Sequence, residues 1–145
     1  MTSLDDLAKE ALPEAIALAT AVLEGDLGDR AWRHQVGSSL SQRDAARLLG
    51  RSEQAISKDQ RLLRLSRRDG RPVYPVVQFD GRRQRHGVAA VVEALSGAVG
   101  ALTIASWLTS PNDALDGARP VDALDRGRND IVVGVARRFA NRMDR

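Results

Sequence analysis

SQRDAARLLGRSEQAISKDQRLLRLSRRDGRPVYPVVQF, residues 41–79, holds two capping signals, a helix stop and a hairpin turn in close succession. The Ser41 hydroxyl can cap a free backbone N–H, and Asp44, three residues on, completes a capping box. Gly50 can take the left-handed conformation that ends a helix, so a first helix is expected to begin at Ser41 and stop at Gly50. Ser52 can cap a second helix with Glu53 at its positive end, and Ala55, Ile56, Leu62 and Leu63 recur on one side of it. Two helices meeting across so short a turn predict a helix-turn-helix. On the second helix Gln54, Ser57, Lys58 and Arg61 stand at i, i+3, i+4 and i+7 and share a polar face. Such side chains suit base edges and phosphates, although a solvated helix face would carry the same pattern.

Downstream, Leu63 and Leu65 alternate with Arg64 and Ser66, Asp69-Gly70 favours a hairpin turn, and VYPVVQF, residues 73–79, is expected to return as a strand. Pro75 has no N–H to give, so that strand is predicted at a sheet edge. Arg67, Arg68 and Arg71 would crowd the hairpin tip, where a wing can touch phosphates or a minor groove. Helix, turn, helix and basic wing together resemble the winged helix-turn-helix of MerR-type regulators and excisionases, above all in AARLLGRSEQAISK, residues 45–58. The motif places the N-terminal half of its second helix in the major groove, with Gln54, Ser57 and Lys58 nearest the bases. Arg43, Ser52, Arg61 and the three wing arginines complete the expected DNA contacts.

The chain has 145 residues, enough for one substantial core or two small lobes that share one. With 43% apolar and 28% charged residues it should be globular. Cysteine is absent, which excludes disulfides and thiolate metal sites and is compatible with a reducing cytosol. No apolar run approaches the roughly 20 residues of a membrane span, and MTSLDDLAKE does not read as a signal peptide, so a cytoplasmic location without membrane contact is expected.

The net charge of +3 is unevenly spread. Residues 1–29 hold one Lys and seven acids, a balance of −6; residues 30–85 hold fourteen bases and five acids, a balance of +9; residues 86–145 hold seven of each. The basic block coincides with the proposed winged element and points to a polyanion partner, because neutralising phosphates releases counterions. Twenty Arg against two Lys suggests a GC-rich genome. Codon bias explains Arg in place of Lys but not the clustering.

Three units are expected: an acidic helical segment over 1–37, the winged element over 38–80, and a helical lobe over 81–145. In the first, Leu4, Leu7, Leu12, Ile16, Ala19 and Leu23 keep near-helical spacing, with Pro13 marking a break. GDLGDR, residues 25–30, reads as a turn, and Trp32 and Val36 as a short helix. DGRRQRHG, residues 80–87, reads as a polar loop between lobes. Beyond it, Val88, Val91, Val92, Leu95 and Val99 predict one helix, residues 101–108 a second, Pro120 to Leu124 a short third, and Asn129 onward a last one with Ile131, Val132, Val135, Ala136 and Phe139 as its buried stripe. The fold class is therefore mainly α, a helix-turn-helix with a small β-hairpin wing followed by an all-helical lobe.

WLTSPNDALDGARPVDALDRG, residues 107–127, looks like the signature of the Xre/MbcA/ParS antitoxin toxin-binding domain, and VYPVVQFD, residues 73–80, resembles the link in members with an N-terminal helix-turn-helix. The resemblance implies a type II antitoxin that neutralises a cognate toxin, commonly a RES-type NAD-consuming one, and represses its own operon by binding operator DNA. It implies toxin contacts at Trp107, Asn112, Leu115, Arg138, Arg142 and Arg145, with the final helix reaching toward the toxin active site. Read from the residues alone, Trp107, Leu108, Leu115 and Phe139 are core side chains, Gly117 supplies a turn, Asn112 could equally bond its own backbone, and the last-helix charges fit an interface and a solvated face alike.

Catalysis is not expected. His34 and His86 stand apart without repeated spacing, and no serine elbow or phosphate loop is present. Asp113, Asp116, Asp122, Asp125 and Asp130 lack the glycine and glutamate of a calcium loop. No cofactor or metal is predicted. A homodimer is expected, since a symmetric operator matches a two-fold protein. The alternative is a stand-alone helix-turn-helix regulator whose helical lobe dimerises or senses a ligand.

Overall fold

The structure, a computed structural model, describes residues 37–144. The expected N-terminal helices, the turn at 25–30, the short helix near Trp32 and Val36, and Arg145 lie outside the described residues. Among the described residues the fold is mainly α, with six α-helices and two small antiparallel sheets.

Strand β1 (Ser39–Ser41) runs straight into α1 (Gln42–Leu49), and Ser41 belongs to both elements. Its Oγ accepts the Asp44 N–H at 3.1 Å, and Gly50 closes the helix in the left-handed region with its N–H on the Ala46 and Arg47 carbonyls. After a turn at residues 50–52, Ser52 caps α2 (Glu53–Ser57) by accepting the Ala55 N–H at 3.0 Å. The two expected caps therefore hold, but the second helix is shorter than its pattern implied. Asp59 ends it: its Oδ1 accepts the Arg61 N–H at 3.0 Å, and its own N–H bonds the Ile56 carbonyl at 3.2 Å. An aspartate that bonds the backbone two residues on offers the chain an alternative to another helical turn. Arg61, Leu62 and Leu63 consequently lie beyond the helix, and the expected i+7 position for Arg61 is corrected.

Strands β2 (Leu65–Ser66) and β3 (Pro72–Pro75) form the expected hairpin, with Gly70 at φ +86° after a turn in which its N–H bonds the Arg67 carbonyl. That left-handed residue after a tight turn is the usual way to close a three-residue hairpin loop. The sheet order is β1-β3-β2, so β3 is central, not an edge. Pro75 is tolerated there because it is the strand's last residue, opposite Ser39, and the next N–H, of Val76, takes the Ser38 carbonyl at 2.8 Å. The continuation Val76–Gln78 is a 3-10 turn, not strand, and the presumed polar loop at 80–87 contains a second hairpin, β4 (Phe79–Asp80) with β5 (Arg83–Gln84).

The helical lobe comprises α3 (Val88–Leu95), α4 (Ala101–Thr109), α5 (Pro120–Asp125) and α6 (Asn129–Met143), close to the expected bounds. Gly87 begins α3 at φ +87°, and an added Cβ would lie 2.6 Å from the Leu124 side chain, so a larger residue would strain the backbone and displace Leu124. On α6 the buried positions are Val132, Val135, Ala136 and Ala140, while Ile131 is 53% exposed and Phe139 only half-buried. The predicted stripe was thus too wide: Ile131 and Val132 are adjacent, 100° apart on the helix, and only one can face the core.

Two apolar clusters form. Leu40, Ala45, Ile56, Leu62, Tyr74 and Phe79 make one inside the first lobe. Leu63, Leu65 and Val73 belong instead to the second, with α3, α4 and α6. The chain at Leu62-Leu63 therefore feeds both cores, and a fully buried Gln78 holds it there, accepting the Leu63 N–H at 2.8 Å and donating to the Leu63 carbonyl at 2.7 Å. Gln78→Leu keeps the volume but strands both Leu63 groups, each costing about 1–3 kcal/mol. We expect a loss of roughly 2–5 kcal/mol, read from urea unfolding midpoints; a loss below about 1 kcal/mol would show that the amide is replaceable.

Candidate nucleic-acid interface

The polar face predicted from the second helix is partly reassembled by the fold. Gln54 and Lys58 are exposed and Ser57 is half-buried. The Ser57 hydroxyl donates to the Gln54 carbonyl at 2.8 Å, and Ser52 is occupied as the helix cap. Of the predicted base-reading group, Gln54 and Lys58 are thus the side chains left free of such local bonds, and Lys58 makes no ion pair among the described residues.

Off the helix, Arg61 still lies beside Lys58. Asp59 holds it there: the Arg61 guanidinium is 3.7 Å from Asp59 Oδ1, and Arg51 pairs with the other carboxylate oxygen at 2.8 Å. Burial opposes ionisation of Asp59, but the Arg51 hydrogen bond, the Arg61 N–H and the two guanidiniums outweigh it and keep this carboxyl below the ordinary aspartate range. Arg64 reaches back to donate to the Ser57 carbonyl at 2.7 Å, at the end of α2. Arg51, Lys58, Arg61 and Arg64 all border one open cleft of about 970 Å³ between this connection and the α3–α4 corner. Arg51 and Arg64 were not among the predicted site residues. Their only signal was membership of the basic block, because Arg51 lies in the turn before α2 and Arg64 beyond its end, where helical periodicity does not apply.

A second, smaller cleft of about 350 Å³ brings together Arg43 of α1, Glu53 at the start of α2, and Arg67 and Arg71 of the hairpin. The Arg71 side chain is 76% exposed and that of Arg67 only 18%, and both lie within 4 Å of Asp69 (3.8 and 3.6 Å). Arg68 is exposed at the hairpin tip. Tyr74, fully buried beneath, donates its hydroxyl to Gln42 Oε1 at 3.2 Å and so fixes α1 on the sheet; burial raises its phenol above the usual range, and the nearby Arg64 opposes that.

Chain comparison gives the fold a relative. Rv2175c, solved by NMR, is 25% identical, with a TM-score of 0.59 over 70% of this chain and 80% of that one. No family model matches the chain, and no curated protein matches it. The shared architecture covers most of the described residues and carries no statement about ligand.

The residues that the antitoxin resemblance implied as toxin contacts are not one surface. Trp107 and Leu115 are buried, as large apolar side chains usually are. The Asn112 Oδ1 accepts the Ala114 N–H at 2.9 Å and is spent on its own turn. Arg138 and Arg142 are exposed on α6. The Arg142 guanidinium lies 5.9 Å from the Phe139 ring centroid, and Phe139 tilts against Trp107 at 6.3 Å, so the three form a stack from core to surface. Among the described residues no group of His, Asp or Glu could hold a metal, and no helix is long and apolar enough to cross a membrane.

Asp59 provides a pH test. A carboxyl whose folded pKa is depressed contributes stability that is complete above its unfolded pKa, about 4, and is lost as pH falls through the folded value. The wild-type chain should therefore lose more stability between pH ~4.5 and ~2.5 than Asp59→Asn, which lacks that titration. Parallel acid branches in urea unfolding would mean that the Arg51 and Arg61 pairs contribute nothing.

Proposed function

We propose that this protein binds double-stranded DNA through a winged helix-turn-helix made of α1, the turn at 50–52, α2 and the β2–β3 hairpin. The observation that carries this reading is the convergence of Arg43, Arg67 and Arg71, from a helix and a hairpin far apart in sequence, on one cleft beside the start of α2. Guanidinium groups held in such a cleft suit phosphate oxygens, with which they form paired hydrogen bonds. Lys58 and Arg61 extend the positive surface from the other end of α2, and the charge balance of +9 over residues 30–85 supports the same partner. The exposed Gln54 is the side chain that this reading assigns to a base edge. A homodimer on a symmetric operator fits this reading.

Lys58→Ala and Arg71→Ala should each weaken duplex binding about 3- to 10-fold at low salt and reduce the slope of log affinity against log salt by roughly 0.9 per lost phosphate contact. Unchanged affinity and slope in both variants, measured by fluorescence anisotropy, would remove the basis of the assignment.

A second reading, an autoregulating type II antitoxin that blocks a RES-type toxin, is favoured by one observation on α6. Its outer face exposes Ile131 at 53%, along with Arg138 and Arg142, a mixture suited to a protein partner. On that reading Arg138→Glu with Arg142→Glu abolishes neutralisation in a co-expression growth assay while duplex binding falls little. Full protection by the double variant would refute this use of α6.

A further inference from the structure

The larger cleft has two unlike walls. One carries Lys58, Arg61 and Arg64; the other, from the α3–α4 corner, presents the half-buried Val99 and Ala101, with Val92 and Ile104 buried behind them. Its acids are few: Asp59 is already engaged by Arg51 and Arg61, which leaves Glu93 on the apolar side. A cationic rim over an apolar floor is complementary to an amphipathic, acidic stretch of chain.

The chain contains one. Residues 1–29 carry seven acids and one Lys, and their apolar positions Leu4, Leu7, Leu12, Ile16, Ala19 and Leu23 have near-helical spacing. The charge segregation along the sequence, −6 followed by +9, is the sign expected of two surfaces that meet. The thirteen residues between Leu23 and Gly37 can span up to about 43–47 Å, more than the roughly 30 Å across a small domain. A tethered segment experiences an effective concentration in the millimolar range, so an intrinsic affinity on the order of 1 mM already gives half occupancy.

We propose that the acidic N-terminal segment, residues 1–29, docks in this cleft, with its apolar stripe on the α3–α4 wall and its carboxylates toward Lys58, Arg61 and Arg64, and so competes with DNA for the end of α2. The competition rests on the DNA-binding reading; the docking does not. Attraction across the rim weakens with salt, since exposed charges are screened over about 8 Å at physiological ionic strength.

The absence of native cysteine makes a direct test possible in the full chain. Ala8→Cys is combined with Ser96→Cys at the cleft or, as control, with Arg137→Cys on the outer side of α6, and each is treated with a short bis-maleimide. Intramolecular closure of the Ser96 pair is expected about tenfold faster than the control, falling to the control rate when Asp5, Asp6, Glu10 and Glu14 are changed to their amides. Equal closure of both pairs overturns the docking, and closure only between chains overturns it in favour of a second copy as host. The closed Ser96 species should then bind duplex DNA about tenfold more weakly than the open one. Equal affinity of the two species overturns the competition. Preferential closure with no duplex binding by either species upholds the docking and overturns the DNA-binding reading instead.

Discussion

The carboxamide of Gln78 takes the place of a missing strand. Between α2 and β2 the chain is buried only at Leu62 and Leu63, which have no ladder partner and enter different apolar clusters. Buried backbone groups without partners are expensive. Gln78 meets both groups of Leu63 from one side chain, and Gln84 Nε2 donates in turn to the Arg61 carbonyl at 2.8 Å and to Gln78 Oε1 at 3.3 Å. This small amide network sets the course of residues 61–63. The positions of Arg61 and Arg64, and hence the cationic edge of the larger cleft, follow from it.

Arg85 makes the complementary link between the sheet region and the helical lobe. Its guanidinium donates to the Val77 carbonyl at 3.0 Å and the Phe79 carbonyl at 3.4 Å, and pairs with Asp125 at the end of α5. The side chain is only 15% exposed, so the pair is better shielded than a typical surface salt bridge. Glycine at position 87 then lets α3 start against Leu124. Sheet, second hairpin and helical lobe are thus joined by directional polar contacts as well as by the shared cluster of Leu63, Leu65 and Val73, and the basic residues after α2 are held opposite the α3–α4 corner.

What was legible in the sequence was local. Ser41, Gly50, Ser52 and Pro120 mark helix ends because caps act through the nearest backbone groups, and each stands where its chemistry predicted. The four helices of the lobe followed from apolar spacing for the first and last and from Pro111 and Pro120 for the two between. What was hidden depended on distant partners or on competition between local signals. Ser-Leu-Ser at 39–41 is too short to show alternation and is a strand only because β3 lies beside it. Asp59 overrode an apolar pattern that otherwise continued to Leu63. Pro75 was read as the mark of an edge strand continuing to Phe79, whereas it ends the central strand of the sheet. The candidate site was half legible: residue types and charge located the basic region, while Arg51 joined it through its pair with Asp59 and Arg64 through the non-helical path of residues 58–64.

The shortness of α2 also bears on what kind of DNA recognition the proposed reading allows. A helix of five residues presents little more than one turn to a groove. Within it Ser57 turns its hydroxyl to the Gln54 carbonyl, and Ser52 is the cap, so few side chains are placed to read base edges. Arginines from α1, the hairpin and the post-helical connection outnumber them. Phosphate contacts position a protein without discriminating sequence, whereas specificity needs base contacts or DNA deformation. On this arrangement affinity would come mainly from the charged rim and would depend steeply on salt, with Gln54 as the principal direct reader in each protomer. On that reading sequence preference would rest largely on the spacing between two copies of the element, and the oligomeric arrangement, rather than any single helix face, would determine operator choice.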